Sequence, residues 1–491
     1  MTTIVSAGDK NVILGNDFTL HPLSAVQQGV WMGQISNPES PGFNIGSAVY
    51  YKGDFDIDRF KKAVQDVADR TDALRLVVDQ SSNRPEQKLL RSLVAPVHVV
   101  DYTYAPDSEN RTEQKIRELI NEPFLFNGSP LWKCVIFVLG DAEYCWFSCF
   151  HHLIVDGTGL SMFCRLVCDF YNDETGGLLD QSFPSFVEQV EKALDYKGSQ
   201  RQERDRRYWR ERFSVMPPSL LPGAKPRAEG NEQVGDVITL KIARSLKDKI
   251  SSCAADRGCT LVHFLLALLA SLFSRGRNVD DIVVGLAVHN RSTDTQKRTI
   301  GMFASVLPVR IAVDNESSFS DLMNQVASEV KRAYRHKTMS IDEIARSIKN
   351  VDREHAQIFD LSFSLDDFPA EEKFIGDTLP VARKVFHDHE AWPLSVWLTD
   401  YQKSTEPAFS FSYNRSSLSD DEARHIVDQF QEMLHGVIEG GVDSPVHRLP
   451  IMNEAQRRIV VEGFNDTQAD YPKEALIHEL FEQQVQKTPE A

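Results

Sequence analysis

Long apolar runs are missing from this 491-residue chain. None approaches the ~18 residues a membrane-crossing helix needs, so a spanning segment is excluded. The opening, Met1 to Asp17, carries Asp9 and Lys10 and has no continuous apolar stretch, which excludes a secretory leader. Cysteine is sparse and unpatterned. The seven, at 134, 145, 149, 164, 168, 253 and 259, form no CxxC pair, so neither a zinc ribbon nor a dithiol redox motif is present. They read as buried free thiols of a reducing, cytoplasmic protein. Basic charge is also short: Lys+Arg 54 against Asp+Glu 71 leaves −17. A protein built to bind a phosphate backbone needs the opposite balance, so nucleic acid is not expected as a partner. There is no fixed-period repeat and no low-complexity tract.

What is present is the composition of an ordinary globular protein, with 42% hydrophobic and 25% charged residues. At roughly 150 residues per domain the length allows about three domains, or one architecture of two large lobes. The patterning alternates helices and strands throughout. Apolar residues at Phe60, Val64 and Val67 keep helical spacing, and Leu74–Val78 reads as a strand. Val135–Leu139 and Tyr144–Phe150 are nearly unbroken apolar runs around a Gly140-Asp141 turn, a hairpin of two buried strands. A long charged helical stretch is predicted from Ser185 to Phe213, followed by the Pro/Gly-rich segment Pro222–Gly230 as a connection between lobes. Beyond it come helices from Ser245 and Thr260, strands Ile282–Val288 and Val306–Val313, a helix carrying Phe319 to Val330, and strands Phe359–Leu365 and Phe409–Tyr413. A last long helix is capped by Ser419 with Glu422 three residues on. From Asn453 the pattern changes, and Ala475–Val485 reads as a short helix whose apolar face has nothing to cover it.

The sharpest local feature is His151-His152-Leu153-Ile154-Val155-Asp156-Gly157, where a buried strand ends and a loop opens a helix. Adjacent strand residues point to opposite faces, so the two histidines do not converge on one metal, and no third ligand follows at zincin spacing. One histidine therefore faces inward and the other faces a cleft. Asp156, if it points inward, needs a cationic partner. Arg75 and Arg291 are the candidates.

These residues resemble the HHxxxDG signature of condensation domains of non-ribosomal peptide synthetases, in the chloramphenicol acetyltransferase-like superfamily. The resemblance continues through Leu23–Trp31, similar to the family's S-x-A-Q-x-x-x-W segment, and through Thr71–Arg75. It extends to Ile300–Arg310, similar to I-G-x-x-x-N-x-L-P-x-R with Ser305 where Asn is usual. His336–Asp342 is a degraded form of the H-Q-x-x-P segment. Phe464–Thr467 and Ile477–Phe481 look like the linker leading into an adenylation domain. The plant acyltransferase motif D-F-G-W-G is absent.

The resemblance implies an α/β (α+β sandwich) fold of two acetyltransferase-like lobes arranged as a V around a central tunnel. Residues 18–185 and 186–453 are the expected lobes, and 454–491 the linker and start of the next domain. It implies an acyltransferase that joins an acyl thioester donor to the amine of a carrier-bound aminoacyl thioester. No cofactor is bound; the phosphopantetheine arm of a peptidyl carrier protein, or CoA, brings the substrates. His152, Asp156 and Gly157 are the expected catalytic group, with His151, Arg75 and Arg291 supporting them. Met302, Phe303, Val306, Trp392 and Trp397 are candidates for an acyl pocket, and Arg201–Arg212 with Lys331–Lys337 for a carrier-docking patch. The histidine doublet differs from the aspartate of cyclisation domains. The start at Met1, close before the first motif, is unlike an epimerisation domain behind its carrier. Phe43–Gly46 with Asp72–Leu76 resembles starter-type domains, which acylate the first amino acid. Two other classes stay open: a free-standing acyl-CoA N-acyltransferase, and a non-catalytic domain that recruits a carrier or tailoring enzyme.

Overall fold

The computed structural model describes residues 17–78, 86–221, 234–348, 357–367, 374, 380–401, 405–468 and 475–490. Among them are three sheets. A five-stranded sheet runs in the order Val381–Val385, Asn44–Lys52, Glu143–His151, Trp132–Gly140, Val97–Asp101. Its pairings are antiparallel except the last. The expected hairpin is its centre, with Phe147 opposite Val135 and the turn closed by Ala142 at φ 57°. Both faces of these strands are covered, which is why they read as unbroken apolar runs rather than alternations. On one face lie the helices Ile57–Arg70 and Gly157–Asn172. Phe60 meets Trp146 edge-on at 5.0 Å, and Phe163 meets Phe150 at 5.0 Å. On the other lies Ser108–Ile120, so close that a side chain at Gly46 would strike Ile120 at 2.8 Å.

The second large sheet has six strands, in the order Ser305–Ala312, Asp281–Val288, Leu361–Asp366, Leu394–Thr399, Ala408–Asn414, Gly235–Lys241. The helices Leu261–Arg277, Phe319–Tyr334 and Asp420–Gly440 build its core. Leu261–Arg277 is buried from Phe264 to Ser274, and Phe430 of Asp420–Gly440 packs on Phe409 and Phe411 at 4.9 and 5.2 Å. Period-2 alternation sends Phe409, Phe411 and Tyr413 into that core and turns Ser410, Ser412 and Asn414 the other way. The serines are buried all the same. The chain segment after Phe386 covers them, and Ser395 and Ser412 hydrogen-bond the buried carboxyl of Glu390. A third sheet, Phe18–Pro22, Glu86–Leu90, Leu76–Val78, flanks the first core. No described helix is long and apolar enough to cross a membrane.

Several expected elements differ in detail. The stretch from Ser185 to Phe213 is two helices, Phe186–Ala193 and Gln200–Arg212, separated by Gly198 at φ +76°, a left-handed turn that ends any helix. The strand expected at Leu74 begins at Leu76, because Asp72–Arg75 coils into a tight turn. That turn exists for a reason. The Asp72 carboxylate accepts from Ser185 Oγ and from the backbone N–H groups of Phe186 and Val187, at 2.5, 2.9 and 3.0 Å, bonding the start of the helix Phe186–Ala193. The division between 18–185 and 186–453 is crossed in space. Val381–Val385, from the second half, completes the first sheet beside Asn44–Lys52, and Phe186, Ile300 and Met302 pack into the first core. Pro222–Gly230 and residues 469–474 lie outside the described residues.

The seam where the halves meet is tight. The backbone of Gly301 passes under the Phe186 ring, and an added Cβ would lie 2.1 Å from it. We expect Gly301→Ala to destabilise the protein by ~1–3 kcal/mol through overpacking. Chemical denaturation should show that loss, with partial recovery in the Gly301→Ala/Phe186→Leu double variant.

Candidate functional site

The first sheet delivers its central strand to the seam. His151 pairs with Asn44 at the last ladder position, and the His152 N–H still reaches Phe43 O at 2.7 Å. The chain then turns, and Asp156 caps the helix Gly157–Asn172 by accepting from the Gly159 N–H at 2.8 Å. A loop this short leaves the two histidines on opposite faces, as strand geometry requires.

His151 is fully buried among Phe43, Phe124 and Phe126. Its Nδ1 accepts from the Leu153 N–H at 3.0 Å, so its other nitrogen carries the proton and donates to Gln34 Oε1 at 3.0 Å. The Gln34 amide is oriented in turn by donating to the carbonyls of Asn37, Pro38 and Ser40. Burial, reinforced by neighbouring His152, lowers the pKa of His151 to about 3. It is a neutral strut, as expected for the inward-facing member of the doublet.

His152 is placed differently. The residue is partly exposed, but its Nδ1 is shut off from solvent, and the Val155 backbone lies within reach of the ring. Burial pulls its pKa down to about 4 against the opposing pull of the Asp156 carboxylate, and the Lys384 cation adds to the lowering. The ring is uncharged at neutral pH, the state a proton acceptor requires.

Asp156 has no acceptor capacity to spare. Arg291 grips it with both guanidinium ends, Nη1 to Oδ2 at 2.7 Å and Nη2 to Oδ1 at 2.9 Å. The N–H groups of Phe303 and Ala304 add bonds at 2.9 and 3.0 Å. Both side chains are 1% exposed. Arg291 also donates to the carbonyls of Gln296, Thr299 and Gly301, and its guanidinium lies over the Phe303 ring at 4.5 Å. Every donor and acceptor is used, which is what makes a buried pair tolerable. Gly157 opens the helix directly after it, where backbone N–H groups have no partner within the helix.

Of the two candidate arginines the structure selects Arg291. Arg75 points elsewhere and donates to the Arg91 carbonyl at 2.8 Å, so it takes no part in holding Asp156. Four of the five candidate pocket residues divide between the two hydrophobic clusters. Met302 and Phe303 belong with the first core, Val306 and Trp392 with the second, and Trp397 lies under the Lys384 ammonium. Gln27, from the first motif, is buried and donates to the Leu153 carbonyl at 2.9 Å, bracing the histidine loop from behind. The two basic segments do come together: His336 stacks on Tyr208 at 4.0 Å and meets Asp205 at 2.7 Å, while Arg212 pairs with Glu329 at 3.0 Å. Sequence reasoning missed Lys384, Asp366 and His387. Lys384 contacts Asp366 at 2.5 Å and sits 3.3 Å over the Trp397 ring, and His387 is within electrostatic range of His152. No spacing rule links residues 152, 366 and 384.

The model of the family described as condensation domain matches residues 19–460. The chain belongs to that family. Its curated relatives are non-ribosomal peptide synthetases. Bacitracin synthase 3 of Bacillus licheniformis is 24% identical over 476 residues, and the dimodular nonribosomal peptide synthase of Bacillus subtilis (strain 168) 23% over 475. Each alignment covers 96% of this chain but only 7% and 20% of those much longer proteins. Among solved structures, the starter condensation domain of rhizomide synthetase in complex with C8-CoA superposes with a TM-score of 0.78 at 20% identity, covering 88% of this chain and 98% of that one. The first condensation domain of the calcium-dependent antibiotic synthetase gives 0.75 at 18%, over 89% and 99%. These likenesses establish the mixed α/β condensation-domain fold.

Two outcomes follow for this condensation domain. Asp156→Asn or Arg291→Met strands a buried partner, so each should cost ~3–5 kcal/mol and appear as lost soluble yield and an early unfolding transition. Arg291→Lys should rescue only partly, since an ammonium cannot supply the two-pronged contact. On acidification, both histidines have folded values below the ~6.5 of an unfolded chain, so the unfolded state binds more protons. Their contribution is complete above pH ~6.5 and drains as pH falls toward 4. Thermal melts from pH 8 to 4 should show that loss, and His152→Ala should reduce its size.

Proposed function

We propose that this domain forms an amide bond between an acyl thioester donor and the amine of a carrier-bound aminoacyl thioester. The observation that carries the reading is His152, an uncharged, partly exposed imidazole at the seam of the two sheets, next to a carboxylate already saturated by other donors. The acceptor amine attacks the thioester carbonyl. His152 takes the amine proton, the carbon–sulfur bond breaks, and the proton passes to the departing thiolate, leaving amide and thiol. A thioester is already activated, so holding two tethered reactants in line supplies much of the rate, with effective molarities of ~10⁵–10⁸ M within reach. General-base help adds ~10²–10⁴-fold. Asp156 contributes by fixing the loop, since it has no acceptor to offer substrate. The Gly157 N–H, at the positive end of a helix, is our candidate donor to the tetrahedral oxyanion.

For the donor we propose an initiating acyl group, carried on CoA or a carrier protein. This rests on the Phe43–Gly46 segment and on the likeness to a starter domain that binds C8-CoA. Substrates then reach His152 from two ends of a tunnel between lobes set as a V, with residues 18–185 and 186–453 as the lobe-forming segments. For residues 454–491 we propose a linker to an adenylation domain. Leu476, Ile477, Phe481 and Val485 are exposed along Ile477–Lys487 and its cap, a face suited to pack on that neighbour. The Arg201–Arg212 and Lys331–Lys337 segments, joined through His336, are the proposed carrier-docking region, in a cytoplasmic assembly.

Supplying a panel of acyl-CoAs and a loaded downstream carrier, and weighing the carrier by mass spectrometry, tests the reading. N-acylation of the tethered amino acid is expected, and His152→Ala should lower it ~10²–10⁴-fold with an unchanged melting profile at neutral pH. Undiminished turnover in that variant would sink the assignment. Acylation of free amines alone points to a free-standing acyltransferase, and no transfer points to a recruitment domain.

A further inference from the structure

Gln87 lies on Glu86–Leu90, the middle strand of the third sheet, opposite His21 on one side and Val78 on the other, and it is fully buried. An apolar side chain would fill this position at no polar cost, so what the amide contributes is its hydrogen bonds. Its Nε2 donates to the Pro22 carbonyl at 2.9 Å, and its Oε1 accepts from Gln27 Nε2 at 2.9 Å. A longer return contact, Gln87 Nε2 to Gln27 Oε1 at 3.4 Å, completes the pair. The Gln27 nitrogen also donates to the Leu153 carbonyl at 2.9 Å. Gln27 Oε1 accepts from the Ser24 N–H at 2.9 Å, in the capping box that opens helix Ala25–Ser36. Turning either amide over would set oxygen against oxygen, at Pro22 for Gln87 and at Leu153 for Gln27. Gln87 thus keeps the Gln27 nitrogen aimed at the carbonyl of the residue that follows His152.

We propose that Gln87 is a positioning residue that acts through Gln27 to fix the backbone after His152 and so to aim its imidazole. The proposal rests on the reading of His152 as proton acceptor. The Leu153 N–H bonds to His151 Nδ1 at 3.0 Å and the Ile154 N–H to the His151 carbonyl at 3.1 Å. Those bonds are local and turn with the loop. The bond from Gln27 to the Leu153 carbonyl comes from another element and sets where the loop lies. The same helix carries Gln34 two turns on, on the same face, as the partner of His151 at 3.0 Å. One helix therefore holds both sides of the doublet, and Gln87 ties its first turn to the third sheet. The remaining anchor of His152, its N–H to Phe43 O at 2.7 Å, lies on the other side of the residue. Loosening the Leu153 side alone pivots the ring, and a reacting group misplaced by ~1 Å can cost ~10²-fold.

The first test needs no substrate, so its failure is distinguishable from failure of the proposed reaction. Amide hydrogen exchange of the full chain is read by NMR in Gln87→Met, which keeps the bulk and removes both hydrogen-bonding ends. Exchange at Leu153 and Ile154 should quicken about tenfold while the strand amides of Val135 and Phe147 stay at parent rates. Parent rates at Leu153 and Ile154 overturn the proposal, and so does a rise shared by the strand amides, which marks plain destabilisation. The second test is carrier acylation. In Gln87→Met kcat should fall about tenfold with KM little changed. Gln87→Glu should recover most of it at pH 6.5, where burial keeps the new carboxyl protonated and able to make both bonds. In a Gln27→Met background the Gln87→Met change should lower kcat no further, because the relay is already broken. A loss that persists there overturns the proposal. Gln87→Leu serves if the methionine variant does not fold, and failure of both overturns it, by making the amide part of the scaffold.

Discussion

The Asp156–Arg291 pair is the constraint on which the rest of the site depends. It closes the end of the first sheet onto a segment, Arg291 to Ala304, that leads into the edge strand of the second. The five donors to one carboxylate come from the helix it caps, the opposing arginine and two backbone groups past Met302. Neither half can satisfy them alone. A charge that is expensive to bury becomes stable only when both halves are docked, so the cost of burial enforces the geometry of the histidine loop.

Around that clamp the polar residues divide their labour. His151 and Gln27 carry no charge and brace the loop from the first core. Lys384 of the crossing strand pairs with Asp366 of the second sheet, and Glu390 with Ser395 and Ser412 fastens the same segment there. His152 stays partly exposed beside them.

Much of this was legible in the residues. Helical spacing at Phe60, Val64 and Val67, the buried hairpin, and the Ser419–Glu422 capping box all appear where the patterning puts them, because each depends on contacts a few residues apart. The opposite roles of His151 and His152 follow from strand alternation alone. Illegible were the break at Gly198 inside a uniformly charged stretch, the return of Val381–Val385 to the first sheet, and the partner chosen by Asp156.

The sequence by itself therefore determined the α/β class, the motif, the loop that presents His152, and an acidic chain without a basic excess. Tertiary structure alone decided that Arg291 and not Arg75 meets Asp156, that the candidate pocket residues part between two cores, and that Lys384 meets Asp366. The physical reason is range. Periodicity, caps and turns are settled within one or two turns of chain, whereas a buried charge takes its partner from whatever the closed fold brings within reach, here 135 positions away.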